Sequence, residues 1–595
     1  IFNQSWLSKI SLVMSEKNGK TFDLFLLNRV LTYVKPYFKI FYGTAFCAIL
    51  IAFLSPTRPL LIQYAFDNYI ITPNENKLLL ITCLLVVLLF AESILQYLYT
   101  YWSNYLGQSV IRDIRLSVYK KIINFKQQYF DKNPIGALVT RVVSDIETIS
   151  DIFSQGLLVI IADILKLIVV LIVMFVTDWR LTLFSLASIP LLLIATYWFK
   201  RSIKSAFQDV RKQVSLLNSF VQEHIVGMYI VQLFNREDIE FEKFKNINNA
   251  HKNAHIKSIF YYSVFFPVVE ILSAISIGLL IWWGGVEVVT TNNITLGELI
   301  AFILYIHMLF RPIRQLADRF NVLQMGMVAS ERVFKVLDTD NSIKNNGKKT
   351  ITKCKGDVEF KNVWFAYNDD DWVLRNVSFK VSAGEKVAIV GSTGAGKSTI
   401  INLLTRNYEI NEGMILIDGI NYLEYDLYSL RKNIAVVLQD VFLFSDTIFN
   451  NIVLGRNIKL EKVKAYAKEI DLDEYIQSLP NGYFFNVRER GGMLSSGQRQ
   501  LISFVRAYID EPSILVLDEA TSNIDSESES LIQNSCEKIT KNRTSIIIAH
   551  RIATVKNADK ILLFDNGILA EEGSHQELLS KDGKYKLLYQ LQFQD

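Results

Sequence analysis

Nine consecutive residues carry the most specific chemistry in the chain: Gly391-Ser392-Thr393-Gly394-Ala395-Gly396-Lys397-Ser398-Thr399. Glycines let the backbone turn its N–H groups inward, where they hold phosphate oxygens. A lysine in the seventh place reaches the β- and γ-phosphates of a nucleotide, and the hydroxyl after it ligates Mg²⁺. The run follows a strand-like stretch, Lys386–Val390, and precedes a helical one, Ile400–Thr405. That helix would add its positive N-terminal end to the phosphate site. A glycine-rich turn can match such a motif by chance, but strand, loop and helix in this order rarely do. A second apolar run, Ile514–Leu517, ends in Asp518 and Glu519. Acids leaving a buried strand at its C-terminal end face the edge where α/β sheets bind ligands. Asp518 would hold the metal, directly or through water, and Glu519 would polarise an attacking water. The chemistry these residues point to is binding and hydrolysis of ATP with Mg²⁺.

Other positions are weak singly and informative together. Leu494-Ser495-Ser496-Gly497-Gln498 opens a helical run, and its serine hydroxyl and helix N-terminus suit an anion. Gln439 lies in Val437-Leu438-Gln439-Asp440, His550 ends Ile546–Ala549, and Tyr367 ends Phe365-Ala366-Tyr367. A lone strand-end histidine is usually structural, and an isolated tyrosine means nothing. In this order the set resembles the ATPase domain of the ABC transporters. Leu494–Gln498 is similar to their signature, with Ser496 where glycine is usual. Gln439 resembles the Q-loop glutamine, His550 the switch histidine and Tyr367 the tyrosine that stacks on adenine. Ser522-Asn523-Ile524-Asp525 resembles the D-loop but lacks its usual alanine and leucine. The resemblance implies that Glu519, His550 and Gln439 serve catalysis, and that Ser398, Gln439 and Asp518 surround Mg²⁺. It also implies that ATP lies between the P-loop of one domain and the signature of another. One chain holds one of each, so it must dimerise. A homodimer is the simplest outcome, and a heterodimer with a relative is the alternative.

The elements that carry this domain come after a very different half. Of the 595 residues 50% are hydrophobic, and the apolar runs crowd the first half. A membrane helix needs about 20 mostly apolar residues. Stretches of that kind lie at roughly 39–66, 78–103, 156–177, 181–199, 259–288 and 296–316, giving six expected spans. Pro56 and Pro59 are expected to break the first. The connections 104–155 and 200–258 are rich in Lys and Arg, whereas the short ones hold only Lys77 and Arg180. The long loops, both termini and the ATPase domain are therefore expected in the cytoplasm. Trp179, Trp282 and Trp283 suit an outer aromatic belt, and Tyr101 and Trp102 an inner one. The long loops read as helical rather than disordered, so the membrane helices should continue into the cytosol. Phe130–Leu138 with Arg141 and Asp145 resembles the first intracellular loop of ABC exporters, Glu223–Glu237 the second, and Ser330–Phe334 the segment joining their domains. In that family such loops carry short coupling helices.

The expected layout is an N-terminal extension and interfacial segment at 1–37 and a six-helix membrane α-helical domain at 38–330. A linker at 331–356 and an α/β P-loop ATPase domain at 357–591 follow. Met14 reads better as a natural start than Ile1, so the preceding residues are expected to be an extension. Cys47, Cys83, Cys354 and Cys536 are far apart and are expected to be reduced thiols. The net charge of +4 gives no argument for nucleic acid. The reading is an ATP-driven exporter or flippase in the cell membrane, surrounded by lipid and moving a hydrophobic or amphipathic molecule, drug or lipid. The alternative is a regulator or channel on the same frame, which Glu519 and Gly497 argue against. A soluble ABC ATPase fails on the six spans, and importers usually place the two domains on separate chains. Charges at bilayer depth usually face a partner or a cavity. Asp163 and Lys166 are three apart, so an internal ion pair is expected. Glu92 has no such neighbour and is the candidate cavity residue, with a preference for cationic amphiphiles.

Overall fold

The computed structural model describes residues 24–71, 73–290, 294–368, 371–518, 526–549 and 552–593. The chain forms two units. The first ends at Ile123 and resumes over Ile135–Asp340; the second comprises Asn124–Pro134 and the chain from Asn341 onward.

In the first unit six stretches are long and apolar enough to cross a membrane: Lys35–Ile70, Glu75–Ile122, Ile135–Thr177, Trp179–Val226, Glu237–Thr290 and Leu296–Ile313. Helices suit this setting because they satisfy every backbone group internally. Their starts are written locally. Asn74 accepts from the Lys77 N–H ahead of the second span, and Asp178 accepts from Arg180 and Leu181 ahead of the fourth. Thr295 and Glu298 form a capping box at the sixth. The helices outrun the bilayer: Glu75–Ile122 has 48 residues, about 70 Å against about 30 Å of hydrocarbon. The fourth and fifth spans interlock through the stacked rings of Phe199 and Phe265, 4.1 Å apart, and through the buried hydroxyls of Ser188 and Ser276.

Several expectations change here. The first helix runs unbroken over Phe38–Ala65 through both prolines, which are buried; Tyr305 of the sixth span donates to the Pro56 carbonyl at 3.0 Å. The interruption falls instead in the fourth span, between Leu186 and Ile189; Pro190 sits in the first turn of the following helix, where its missing N–H costs no bond, whereas inside a continuous helix it would lose one and clash with the turn before. The sixth helix continues to Asp338 and takes in Ser330–Phe334, so a linker beginning at 331 starts inside a helix. Trp283 is half-buried against Phe184, ring centroids 4.4 Å apart, and Trp282 is exposed.

The second unit is built on two sheets. An antiparallel one has the order β2-β1-β4-β5, formed by β1 (Val358–Ala366), β2 (Trp372–Val381), β4 (Glu412–Ile417) and β5 (Ile420–Asn421). A six-stranded one has the order β10-β9-β3-β8-β7-β6. Its members are β3 (Lys386–Gly391), β6 (Ile434–Val437), β7 (Ile514–Asp518), β8 (Thr544–Ile548), β9 (Lys560–Asp565) and β10 (Ile568–Gly573). All neighbours are parallel except β10 on β9. Strands buried on both faces need continuous apolar sequence, which β7 and β8 supply. Ile514 and Val516 face the core shared with the antiparallel sheet, while Leu515 and Leu517 face a second core with the helices over 448–508.

Candidate functional site

The phosphate loop leaves β3 at Gly391 and enters the helix Lys397–Leu404 at Gly396. Two glycines have steric reasons. Gly391 has φ +151° and a Cβ there would strike the Phe564 carbonyl; Gly396 has φ +94° and a Cβ would come within 2.7 Å of Leu374. Ala395 is buried in the same core, and Thr399 is buried behind the helix start. Lys397 is 8% exposed, and its ammonium donates to the carbonyls of Gly391 (2.7 Å) and Ser392 (2.8 Å). The charge is thus curled over the loop, where incoming phosphate oxygens would replace the carbonyls. Burial pushes the ammonium below lysine's ordinary pKa, and nearby Asp518 opposes that shift.

Ser398 donates to Asp518 across 3.4 Å, which brings the P-loop hydroxyl to the end of β7. Two hard oxygens at this spot fit the donor set that Mg²⁺ takes together with phosphate oxygens and water. Gln439 is exposed two residues past β6. Glu519 and His550, together with Ser522–Asp525, lie outside the described residues. The chain positions are still telling. Gly391 ends β3, Asp518 ends β7 and Gln439 follows β6, while His550 comes two residues after the end of β8. These four strands are consecutive neighbours in one parallel sheet, so the chain leaves all four of them at the same edge.

Tyr367 is half-buried. Its hydroxyl lies 3.2 Å from that of Thr399 and accepts from Asn402 at 3.3 Å, and its ring packs edge-on to Phe365 and Tyr408. The P-loop helix therefore fixes this ring.

The signature segment starts the helix Ser496–Tyr508. Ser495 is its N-cap and accepts from the Gln498 N–H, while the Gln498 side chain accepts from the Ser495 N–H at 2.8 Å. Ser496 takes an ordinary first helical position, so a serine fits where the family has glycine. Leu494 and Gly497 are buried, Leu494 in the core beside the helical segments. The P-loop belongs to the other core, with Ala395, Ile400 and Ile401.

In the membrane unit, Glu92 accepts from the Ser55 hydroxyl at 3.1 Å and lies 3.9 Å from Arg58. Both partners come from the first span, not from its own helix. The expected Asp163–Lys166 pair is replaced: Asp163 pairs with Arg319 of the sixth span. Spacing along one helix sets which neighbours are near but cannot see a cation supplied by another helix.

Sequence reading placed the first intracellular loop at Phe130–Leu138 but kept it within the membrane domain and did not include its start. The segment Asn124–Pro134 belongs to the second unit. Phe125 and Tyr129 are buried there with rings 4.2 Å apart, Lys126 pairs with Glu409 at 3.3 Å, and the Lys126 N–H donates to Asn341. The aromatic pair four residues apart was the available signal.

Comparison with known proteins agrees with both halves. Residues 41–313 match the family model of the ABC transporter transmembrane region, and residues 374–522 match that of the ABC transporter. The chain is 36% identical to YknV of Bacillus subtilis, an uncharacterized ABC transporter ATP-binding protein, over 96% of each chain. It is 36% identical to the putative ABC transporter ATP-binding protein exp8 of Streptococcus pneumoniae, over 95% of this chain and 97% of that one. It is 32% identical to the ATP-dependent lipid A-core flippase of Syntrophus aciditrophicus, over 97% and 96%. With membrane region, ATPase and full-length relatives all in agreement, the chain belongs to the ABC transporters, as an ATPase-coupled half-transporter of the exporter type.

Proposed function

We propose that two copies of this chain form a homodimer in the cell membrane that uses Mg-ATP hydrolysis to export or flip an amphipathic molecule by alternating access. The observation that carries the reading is the convergence of Ser398 and Asp518 at the edge where β3, β8, β7 and β6 end in sequence. Ser398, Asp518 and Gln439 would hold Mg²⁺, which when bound neutralises developing phosphate charge. Glu519 would orient water and take its proton, and His550 would donate to the γ-phosphate. Tyr367 would stack on adenine.

The dimer is supported by two features. The P-loop and the signature sit on separate cores of the second unit, so each is free to face a partner copy. The tip of the second loop is unusually apolar for an exposed segment: Val226, Tyr229 and Phe234 are 82%, 72% and 65% exposed. A second copy is the occupant that would cover it.

Mixed dimers test the whole scheme. Neither Lys397→Ala nor Ser495→Arg homodimers should hydrolyse ATP at an appreciable rate. A mixed dimer retains one intact composite site and should recover a substantial fraction of activity. Adding Glu519→Gln in both chains should abolish that recovery while ATP still binds. Activity in either parent homodimer, or unchanged turnover with Glu519→Gln, would overturn the assignment.

A further inference from the structure

We propose that the membrane unit carries a site for the anionic headgroup of an amphiphile, formed by Arg58, Lys166 and Arg311 around Glu92. The inference rests on the export reading above and names the substrate class of that transporter. The four residues lie on the first, third, sixth and second spans, and the first span packs against each of the other three. Arg58 and Glu92 are 3.9 Å apart, and Ser55 holds the other carboxylate oxygen. Lys166 lies within electrostatic reach of Glu92, Arg311 and Arg58. Three cations thus share one carboxylate.

Depth makes this imbalance costly. At 1.5 Å per residue, Lys166 is about 17 Å from the end of its helix at Thr177 and Arg311 about 22 Å from the start of its helix at Leu296. Both are then in the middle or inner part of about 30 Å of hydrocarbon. Charges there normally pair or line a cavity. The neighbouring acids are committed elsewhere: Asp163 to Arg319, and Asp318 to the Tyr262 hydroxyl at 3.1 Å. None of the described residues hydrogen-bonds or ion-pairs with Lys166 or Arg311. Three cationic groups around a single carboxylate leave a net positive charge that fits a phosphate carried on an amphiphile, which Arg can grip with two hydrogen bonds and Lys as a point charge. Glu92 then holds the cations in place, and the preference expected from Glu92 alone reverses sign.

The test uses the full-length dimer in phosphatidylcholine nanodiscs. ATPase activity is titrated with phosphatidic acid, a dialkyldimethylammonium amphiphile, a neutral alkyl glycoside and inorganic phosphate. Retained phosphatidic acid is counted by native mass spectrometry. Phosphatidic acid should stimulate and be retained, and the other three should not replace it. Lys166→Gln or Arg311→Gln should raise the half-stimulating lipid fraction about tenfold, as expected for one lost charge-assisted hydrogen bond. Lys166→Arg should restore the response, which separates charge from misfolding. Equal response to the cationic or neutral amphiphile, stimulation by inorganic phosphate alone, or unchanged retention in both Gln variants would overturn the site. If no amphiphile acts while Glu519→Gln still stops hydrolysis, the headgroup site falls and the ATPase reading stands. Hydrolysis that survives Glu519→Gln sinks the ATPase reading instead.

Discussion

At Lys397 one side chain would serve two partners in turn. Its ammonium donates to the carbonyls of Gly391 and Ser392, and burial keeps its pKa below the usual lysine value. Phosphates brought against it favour the charged form and raise that pKa. The complex therefore binds more protons than the free protein in the pH range between the two values. Affinity for Mg-ATP should be highest below the free-protein pKa and fall as pH rises through it. Calorimetry of the hydrolysis-deficient Glu519→Gln chain, in alkaline buffers of different ionisation heat, should show net proton uptake on binding. Lys397→Arg, with a group that stays charged, should show none. Proton release by the lysine form would contradict the argument. The P-loop was legible from sequence because its glycines and lysine impose the backbone themselves. Asp163 was not, because its cation stands at position 319 on another helix.

Helix Ser496–Tyr508 shows what a single element needs from its first residues. Its start is closed by reciprocal bonds between Ser495 and Gln498. Removing such a cap costs about 1 kcal/mol. Gln498→Ala should lower the thermal midpoint of the nucleotide-free protein by a few degrees, whereas Ser495→Thr, which keeps the capping oxygen, should leave it nearly unchanged. An unaltered midpoint in Gln498→Ala would mean that packing by Leu501 and Val505 holds the helix alone. Elements of this kind could be read from short motifs. The order of the strands could not: Lys386 pairs with Ser545, and Val387 with Lys560. Hydrophobic runs say that a strand is buried, not beside which other strand. The interruption before Pro190 was legible in principle, since the proline marks it, but the apolar run around it reads as one unbroken span.

Across the whole molecule the polypeptide passes from one unit to the other at Ile123, returns at Ile135 and passes again at Asn341. The stretch Asn124–Pro134 is an inlaid part of the ATPase unit, wedged in by Phe125 and Tyr129 and clamped by Lys126 on Glu409. A protease site inserted after Asp340, where the chain is exposed, cuts only the last of these passages. The fragments should still co-elute after cleavage, and Phe125→Ala with Tyr129→Ala should let them part. Separation of the cleaved wild-type chain would show that the inlay does not hold. The same threading has a mechanical meaning. A body hung from one cord can swivel, while one sewn on by three stitches keeps only the motions that its stitches allow. Because the inlay is continuous with the first unit at both of its ends, any displacement of residues 124–134 must be taken up by the chain at Ile123 and at Ile135.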